Sequence, residues 1–129
     1  MQIKYSFLCE AANITRTGNL NVLGIFDNIN TRQFPCVHPH CVYIARIAFH
    51  RSEVGRHPFR ITFIDDDGNQ VIPPLCGEIS ASVNNMTANI MMNIFNIKFP
   101  HPGEYHIDLT INNQHICTDT IHLVQKPPK

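Results

Sequence analysis

The sequence predicts an all-β protein: an antiparallel β-sandwich of immunoglobulin-like type with about eight strands. Three observations lead to this class. The 129 residues suffice for one domain with one core. Apolar and polar residues alternate with a period of two in several short runs, and turn residues separate those runs. No segment requires a helix. The domain is expected to span residues 1–124, with residues 125–129 as a short C-terminal tail.

The first half of the chain is predicted to hold four strands, at residues 3–12, 20–26, 41–50 and 59–63. A polar turn at residues 15–19 joins the first two into a hairpin. The second strand has apolar side chains on both sides, which predicts burial on both faces. Residues 28–40 contain Pro35 and Pro39 and are predicted to form a crossover loop, because proline cannot donate to a sheet ladder.

The second half continues the pattern after an acidic turn at residues 65–69. A short return strand is predicted at residues 70–72. Residues 79–99 are ambiguous, since Met86, Ile90 and Ile94 have helical spacing, whereas the five asparagines of this segment favour strands. Strands are the preferred interpretation. Residues 105–111 and 114–124 alternate clearly and flank Asn112-Asn113, a dipeptide that tolerates the positive φ of a tight hairpin.

Composition excludes several classes of function. Ten basic residues balance ten acidic ones, and charged residues make up only 16% of the chain. We therefore expect no nucleic-acid partner, and no apolar run is long enough to cross a membrane. The N-terminus does not resemble a signal peptide, and five unevenly spaced cysteines do not resemble a disulfide framework. These features predict a cytoplasmic protein with reduced thiols.

One short segment carries the residue types of a metal site. Cys36, His38, His40 and Cys41 offer the thiols and imidazoles that zinc prefers. The spacing is poor, because structural zinc ligands usually come as two separated pairs. The alternative is a crossover in which the cysteines pack and His38 forms a hydrogen bond.

Two further features need partners or turns rather than ligands. Asp27 and Arg46 stand among apolar strand residues, and a buried charge needs a partner, so they are candidates for a structural ion pair. The acidic residues 65–69 lack the alternating ligand spacing of a calcium loop and are predicted to form a turn. No catalytic or dinucleotide-binding motif is present, so we expect neither an enzyme nor a cofactor.

Three segments together resemble a known family. They are LNVLGIFD at residues 20–27, FPCVHP at residues 34–39 followed by Ala45-Arg46, and FPHPGEY at residues 99–105. The chain resembles a family of small bacterial proteins of unknown function that carry no assigned catalytic site. The resemblance implies a bacterial β-sandwich and brings no substrate, cofactor or active residue with it.

The function that these observations favour is a non-catalytic protein-interaction or scaffold domain. Its partner would be another protein or a second copy of itself. Residues 90–92 and 94–95 are candidates for an exposed, apolar strand edge. The alternative is a small metal- or ligand-binding protein that uses the loop at residues 33–41.

Overall fold

The computed structural model describes residues 1–127 and contains two packed β-sheets with nine strands, which confirms the all-β sandwich and adds one strand to the predicted eight. The strands are β1 (Gln2–Ile14), β2 (Leu20–Phe26), β3 (Asn28–Thr31), β4 (Cys36–Ala48), β5 (Gly55–Asp65), β6 (Leu75–Ala81), β7 (Thr87–Phe99), β8 (Gly103–Ile111) and β9 (Gln114–Gln125). A single 3-10 turn, Arg51–Glu53, precedes β5. The immunoglobulin-like subtype stays a prediction.

The strands divide into a four-stranded first sheet and a five-stranded second sheet. The first sheet has the order β2-β1-β4-β7, and the second has the order β3-β9-β8-β5-β6. The chain passes from one sheet to the other at Asp27, whose carbonyl accepts a hydrogen bond from the His122 N–H at 2.8 Å. The short β3 then pairs with β9 in parallel. The sandwich is thus antiparallel with one parallel exception.

The main core lies between the sheets and follows from the period-two pattern. Alternate residues of β4, β5, β7, β8 and β9 point inward, and the largest fully buried side chains are Tyr43, Phe63, Phe99 and Tyr105. Burial of each such side chain contributes about 1.5–3 kcal/mol relative to exposure. This core fixes the register of every long strand, because a slip by one residue would turn the apolar face outward.

The predicted crossover loop at residues 28–40 is wrong, because this segment forms β3 and the start of β4. Pro39 is accommodated inside β4 for a local reason. Strand β1 pairs with β4 only as far as Cys9 opposite Val42, so near Pro39 one side of β4 is a sheet edge. The missing N–H of Pro39 therefore removes no bond of the β1–β4 ladder.

Three other features of the structure differ from the sequence prediction. Strand β2 is not buried on both faces, since it is an edge strand whose Leu23 and Ile25 are 71% and 60% exposed. The predicted return strand at residues 70–72 is reduced to a single bridge between Ile64 and Gln70. Strand β9 extends to Gln125, so the tail starts later than predicted; its last two residues, 128–129, lie outside the described residues.

Other predictions are confirmed. Residues 79–99 form the end of β6 and the whole of β7, with no helix between them. Strands β1 and β2 form the expected hairpin. The β8–β9 hairpin turns at Asn112 and Asn113, whose φ values are +54° and +62°.

A corner before β8 is held by Tyr105, which is fully buried. Its hydroxyl donates a hydrogen bond to the carbonyl of His101 at 2.6 Å, four residues upstream. The His101 ring also stacks on the Tyr105 ring, with centroids 5.5 Å apart. A tyrosine that bonds back across the corner of a sandwich is a recurring feature of immunoglobulin-type domains.

The acidic turn after β5 is joined to this corner. The buried carboxylate of Asp65 accepts the N–H groups of Asp67 and Asn69 at 3.0 and 2.8 Å. These bonds, the one from Asn69 first, lower the pKa of Asp65. Its second oxygen lies 3.4 Å from Nε2 of His101. The hydrogen bond of His101 Nδ1 to the Pro102 carbonyl, followed by the bond to Asp65, raises the pKa of His101.

Replacing Tyr105 by phenylalanine tests the corner. Tyr105→Phe leaves the ring in place but removes the donor to a carbonyl, so we expect a loss of about 1–3 kcal/mol in the free energy of unfolding, measured by urea denaturation. The control is Tyr5→Phe, at a half-exposed site, where the change should stay within about 0.5 kcal/mol. Equal effects of the two substitutions would contradict the role assigned to the corner.

Stability should depend on pH through His101. Because the pKa of His101 is raised above 6.5 in the folded protein, its contribution is complete below that value and is lost as pH rises through the folded pKa. The lowered pKa of Asp65 keeps its carboxylate charged throughout this window. His101→Gln should therefore reduce the free energy of unfolding more at about pH 5.5 than at about pH 8.5.

The control for this prediction is the same substitution in an Asp65→Asn background, which retains an oxygen for the turn N–H groups but removes the charge. There the effect of His101→Gln should depend less on pH. An equal pH dependence in both backgrounds would show that Asp65 is not the relevant partner.

Candidate functional site

The four predicted metal ligands lie in β4 but do not converge. Cys36 and Cys41 pack against the main core. The His40 ring instead stacks on Phe95 at 4.8 Å, and its Nε2 is 2.8 Å from Oδ1 of Asn93. Burial raises the pKa of Cys41 to about 12, which disfavours the thiolate that binds metal. The proposed metal loop at residues 33–41 is therefore not formed.

His38 is partly as expected. Burial lowers its pKa, and a hydrogen bond with the backbone at His40 opposes that effect. Its ring lies against Phe26, with centroids 5.6 Å apart. Nε2 is buried without a hydrogen-bond partner, so the bond expected for His38 is not formed at that atom.

Asp27 and Arg46 do not pair with each other. The Arg46 guanidinium donates to Oδ1 of Asn89 and to Oγ1 of Thr87, both at 3.0 Å on the neighbouring β7. Asp27 is exposed at the crossing between sheets and accepts a hydrogen bond from Asn28 at 2.6 Å. Asn89, directly opposite Arg46 in the ladder, and Thr87 two residues away supply neutral acceptors for Arg46, so the predicted ion pair is wrong.

One group of potential metal donors does converge in residues 1–127. Donor atoms of Asp65, Asp67 and His101 lie within 4.8 Å of one another. Backbone N–H groups already occupy one Asp65 oxygen, and His101 faces the other. The bonds that hold the turn and the corner account for this arrangement, in agreement with the sequence interpretation of a turn.

A cleft opens where β1 and β2 of the first sheet approach β9 of the second. Its volume is about 350 Å³. Five apolar residues, two aspartates and one threonine line it: Phe7, Leu8, Ile25, Phe26, Asp27, Asp119, Thr120 and Ile121. None of these eight residues is basic.

Asp119 is the unexpected member of this cleft. It occupies the same face of β9 as Cys117, Ile121 and Leu123, which all contact the main core. Side chains two residues apart in a strand share a face, so Asp119 points inward. Burial raises its pKa, and a hydrogen bond with Ser6 opposes that effect. Its Oδ2 is buried and has no hydrogen-bond partner.

Other polar groups surround Asp119 beneath the cleft. The Cys117 thiol donates to the Ser6 hydroxyl at 3.6 Å and lies 3.9 Å from the Tyr43 hydroxyl. Burial raises the pKa of Cys117 and of Tyr43. Asp119 thus lies beside neutral polar groups, and within residues 1–127 it forms no ion pair with a cationic side chain.

Asp119 was not among the residues predicted from the sequence to form a site. A detectable signal was present, since it is the one acidic residue in the inward series 117, 119, 121, 123.

The first sheet also carries an apolar patch on the face that points away from the second sheet. Here Cys9, Val42 and Ile44 are buried, and half-buried side chains surround them: Phe7, Ala12, Leu20, Val22 and Met91. Val42 and Ile44 alternate with core residues of β4, which places them on this outer face. In residues 1–127 no third layer of secondary structure covers it.

The outer patch reaches β7, the free edge of the same sheet. Of the residues predicted to form a sticky edge, Ile90 and Ile94 are instead buried in the core. Met91 and Met92 are half-buried, and Phe95 is 64% exposed. The edge is therefore partly as predicted, because strand alternation sends only every second apolar residue outward.

Comparison with solved structures shows a shared fold. The chain is similar to part of the Pseudomonas fluorescens alkylpurine DNA glycosylase AlkC, solved bound to DNA containing an abasic site analog. The TM-score is 0.53 at 8% identity, and the match covers 92% of this chain and 30% of that one. At this identity the similarity concerns the fold alone.

The sequence was also compared with curated proteins and with models of protein families. No curated protein matches the sequence. Within residues 1–127, no helix has the length and apolarity to cross a membrane.

A family described as being of unknown function, DUF6941, matches residues 4–124. This span covers nearly the whole sandwich and all three segments that carried the resemblance, and the chain therefore belongs to the DUF6941 family of unknown function.

Proposed function

We propose that this chain is a non-catalytic protein-interaction domain that pairs with a second copy of itself through the free edge of β7. The observation that supports the proposal is the length and low charge of that edge. The proposal keeps the expected bacterial and cytoplasmic setting, and it involves no cofactor, nucleic acid or membrane.

Strand β7 has unused pairing capacity along one side. It contains 13 residues and pairs with β4 alone in residues 1–127. At about 3.3 Å per residue the edge is about 43 Å long. Natural sheets usually block such an edge with charges, prolines or bulges. Residues 87–95 contain none of these, and only the far end is disrupted, by Asn96 with φ +54° and by Lys98.

The other three sheet edges are shorter or interrupted. Strand β2 has seven residues and is broken at Gly24, where φ is +68°. Strand β6 also has seven residues, and β3 has four. Strand β7 is therefore the edge with the most room for an added strand.

A second copy suits this edge on electrostatic grounds. Any antiparallel self-pairing within residues 87–95 places no like charges opposite each other, because the segment is uncharged. A two-fold axis at Met91 would set Met91 against its symmetry mate and Asn89 opposite Asn93. The outer apolar patch would then continue across the junction, and a net charge of zero would not oppose association.

A charge placed on the edge should disrupt this pairing. We expect the wild-type chain to dimerise in sedimentation velocity and light scattering between about 1 and about 200 µM, and Phe95→Lys to weaken the dimer at least about tenfold. The matched control is Leu23→Lys on β2, the opposite edge of the same sheet, where the replaced side chain is similarly exposed. It should leave the dimer unchanged.

Two results would contradict the proposal. A wild-type chain that stays monomeric over the whole concentration range would remove the homotypic partner. A dimer that Leu23→Lys weakens as much as Phe95→Lys does would place the interface elsewhere.

A further inference from the structure

We propose that the cleft beside Asp119 binds an organic cation, namely an ammonium or guanidinium group carried on a short apolar chain. This site lies between the sheets on the β2 and β9 side and does not depend on pairing through β7. The ligand chemistry follows from what lines the cleft and from what Asp119 lacks.

The lining selects for an apolar body with a positive end. Leu8, Phe26 and Ile121 line the cleft from the inner faces of their strands, and aromatic faces attract cations. Asp27 and Asp119 supply the only charges among the lining residues, and both are negative. A volume of about 350 Å³ is within the range of small-ligand pockets.

Asp119 supplies the unmet interaction. A buried carboxylate oxygen without a hydrogen-bond partner is rare in folded proteins and calls for an explanation such as an unseen ligand. A charged N–H donor is the strongest available partner for a carboxylate. Oδ2 lies below the surface, so a ligand in the cleft would meet the Asp119 carboxylate through its other oxygen, Oδ1, because the negative charge is shared by both oxygens.

The same geometry argues against two other ligand classes. A bare metal ion would need several donors close together, yet Asp119 belongs to no group of three donors within 4.8 Å in residues 1–127. An anion would meet two carboxylates and no basic side chain in the cleft. An organic cation can contact the apolar lining with its chain and pair with the carboxylates through its charged group.

The experiment compares a cation with its neutral match. The wild-type chain is titrated with n-pentylamine and, separately, with n-pentanol, and binding is followed by amide chemical shifts. The amine should give saturable shifts around the cleft, and the alcohol should give none. Asp119→Asn should weaken amine binding at least tenfold. The control, Asp66→Asn, removes a charge from the exposed turn outside the cleft and should leave binding unchanged.

A second probe distinguishes the source of the cation. Nα-acetyl-lysine methylamide presents the same ammonium as a partner's side chain would. Binding of both probes supports the cation site for either source, whereas binding of only one identifies a free amine or a side chain. Failure of both probes to bind, or equal binding of amine and alcohol, would overturn the proposal.

The urea midpoint of unfolding provides a second readout that is independent of ligand binding. Because burial raises the pKa of Asp119, its charged form is disfavoured in the folded protein, and Asp119→Asn should raise the urea midpoint at neutral pH. If Asp119→Asn does not fold, Asp27→Asn tests the same cleft from its exposed side. A folded Asp27→Asn variant that binds the amine as wild type does would then count against the site. Sedimentation of these variants separates this outcome from any failure of β7 pairing.

Discussion

Burial of β4 on both of its faces is the constraint on which the rest of the structure depends. Tyr43, Ala45 and Ile47 point into the main core, while Val42 and Ile44 hold the outer patch together. Side chains of the flanking strands, among them Phe7 of β1 and Met91 of β7, pack over Val42 and Ile44, so both faces of this central strand can be apolar. With β4 fixed between β1 and β7, the second sheet can close only over the inner face. The outer face is then left as an apolar surface.

The same apolar pattern had opposite outcomes in β2 and β4, which shows what the sequence could predict and what it could not. Alternation predicted β8 and β9 clearly, whereas the return strand predicted at residues 70–72 is only a single bridge. Apolar residues on both sides of β2 predicted burial, but β2 became an edge. Which strand is central depends on pairings between residues far apart in the chain, and local periodicity carries no such information. The loop predicted around Pro39 was wrong for the same reason. The missing N–H of a proline costs a hydrogen bond only where an adjacent strand would accept it.

The candidate sites also differ in how far the sequence could predict them. Closeness in sequence suggested a metal site at residues 36–41, but a strand sends successive side chains to opposite faces, so the donors separated. Composition could not have found the cleft, because Phe7, Asp27 and Asp119 come from three different strands or crossings. Only the inward register of Asp119 was visible in advance. A charged residue at a core position of a strand is a sharper signal than a run of metal-binding residue types.

Burial raises the pKa of Asp119, so its charged form is disfavoured in the folded protein. Leu123 and Ile121 demonstrate that apolar side chains fit the same face of β9, and Ser6 with Cys117 gives Asp119 only partial compensation. Conflicts between a residue and its surroundings are expected at functional or strained sites. The sparse charge of the whole chain strengthens this reasoning. Where so few side chains are charged, an aspartate that points between the sheets beside a cleft is the position at which we propose a cationic ligand.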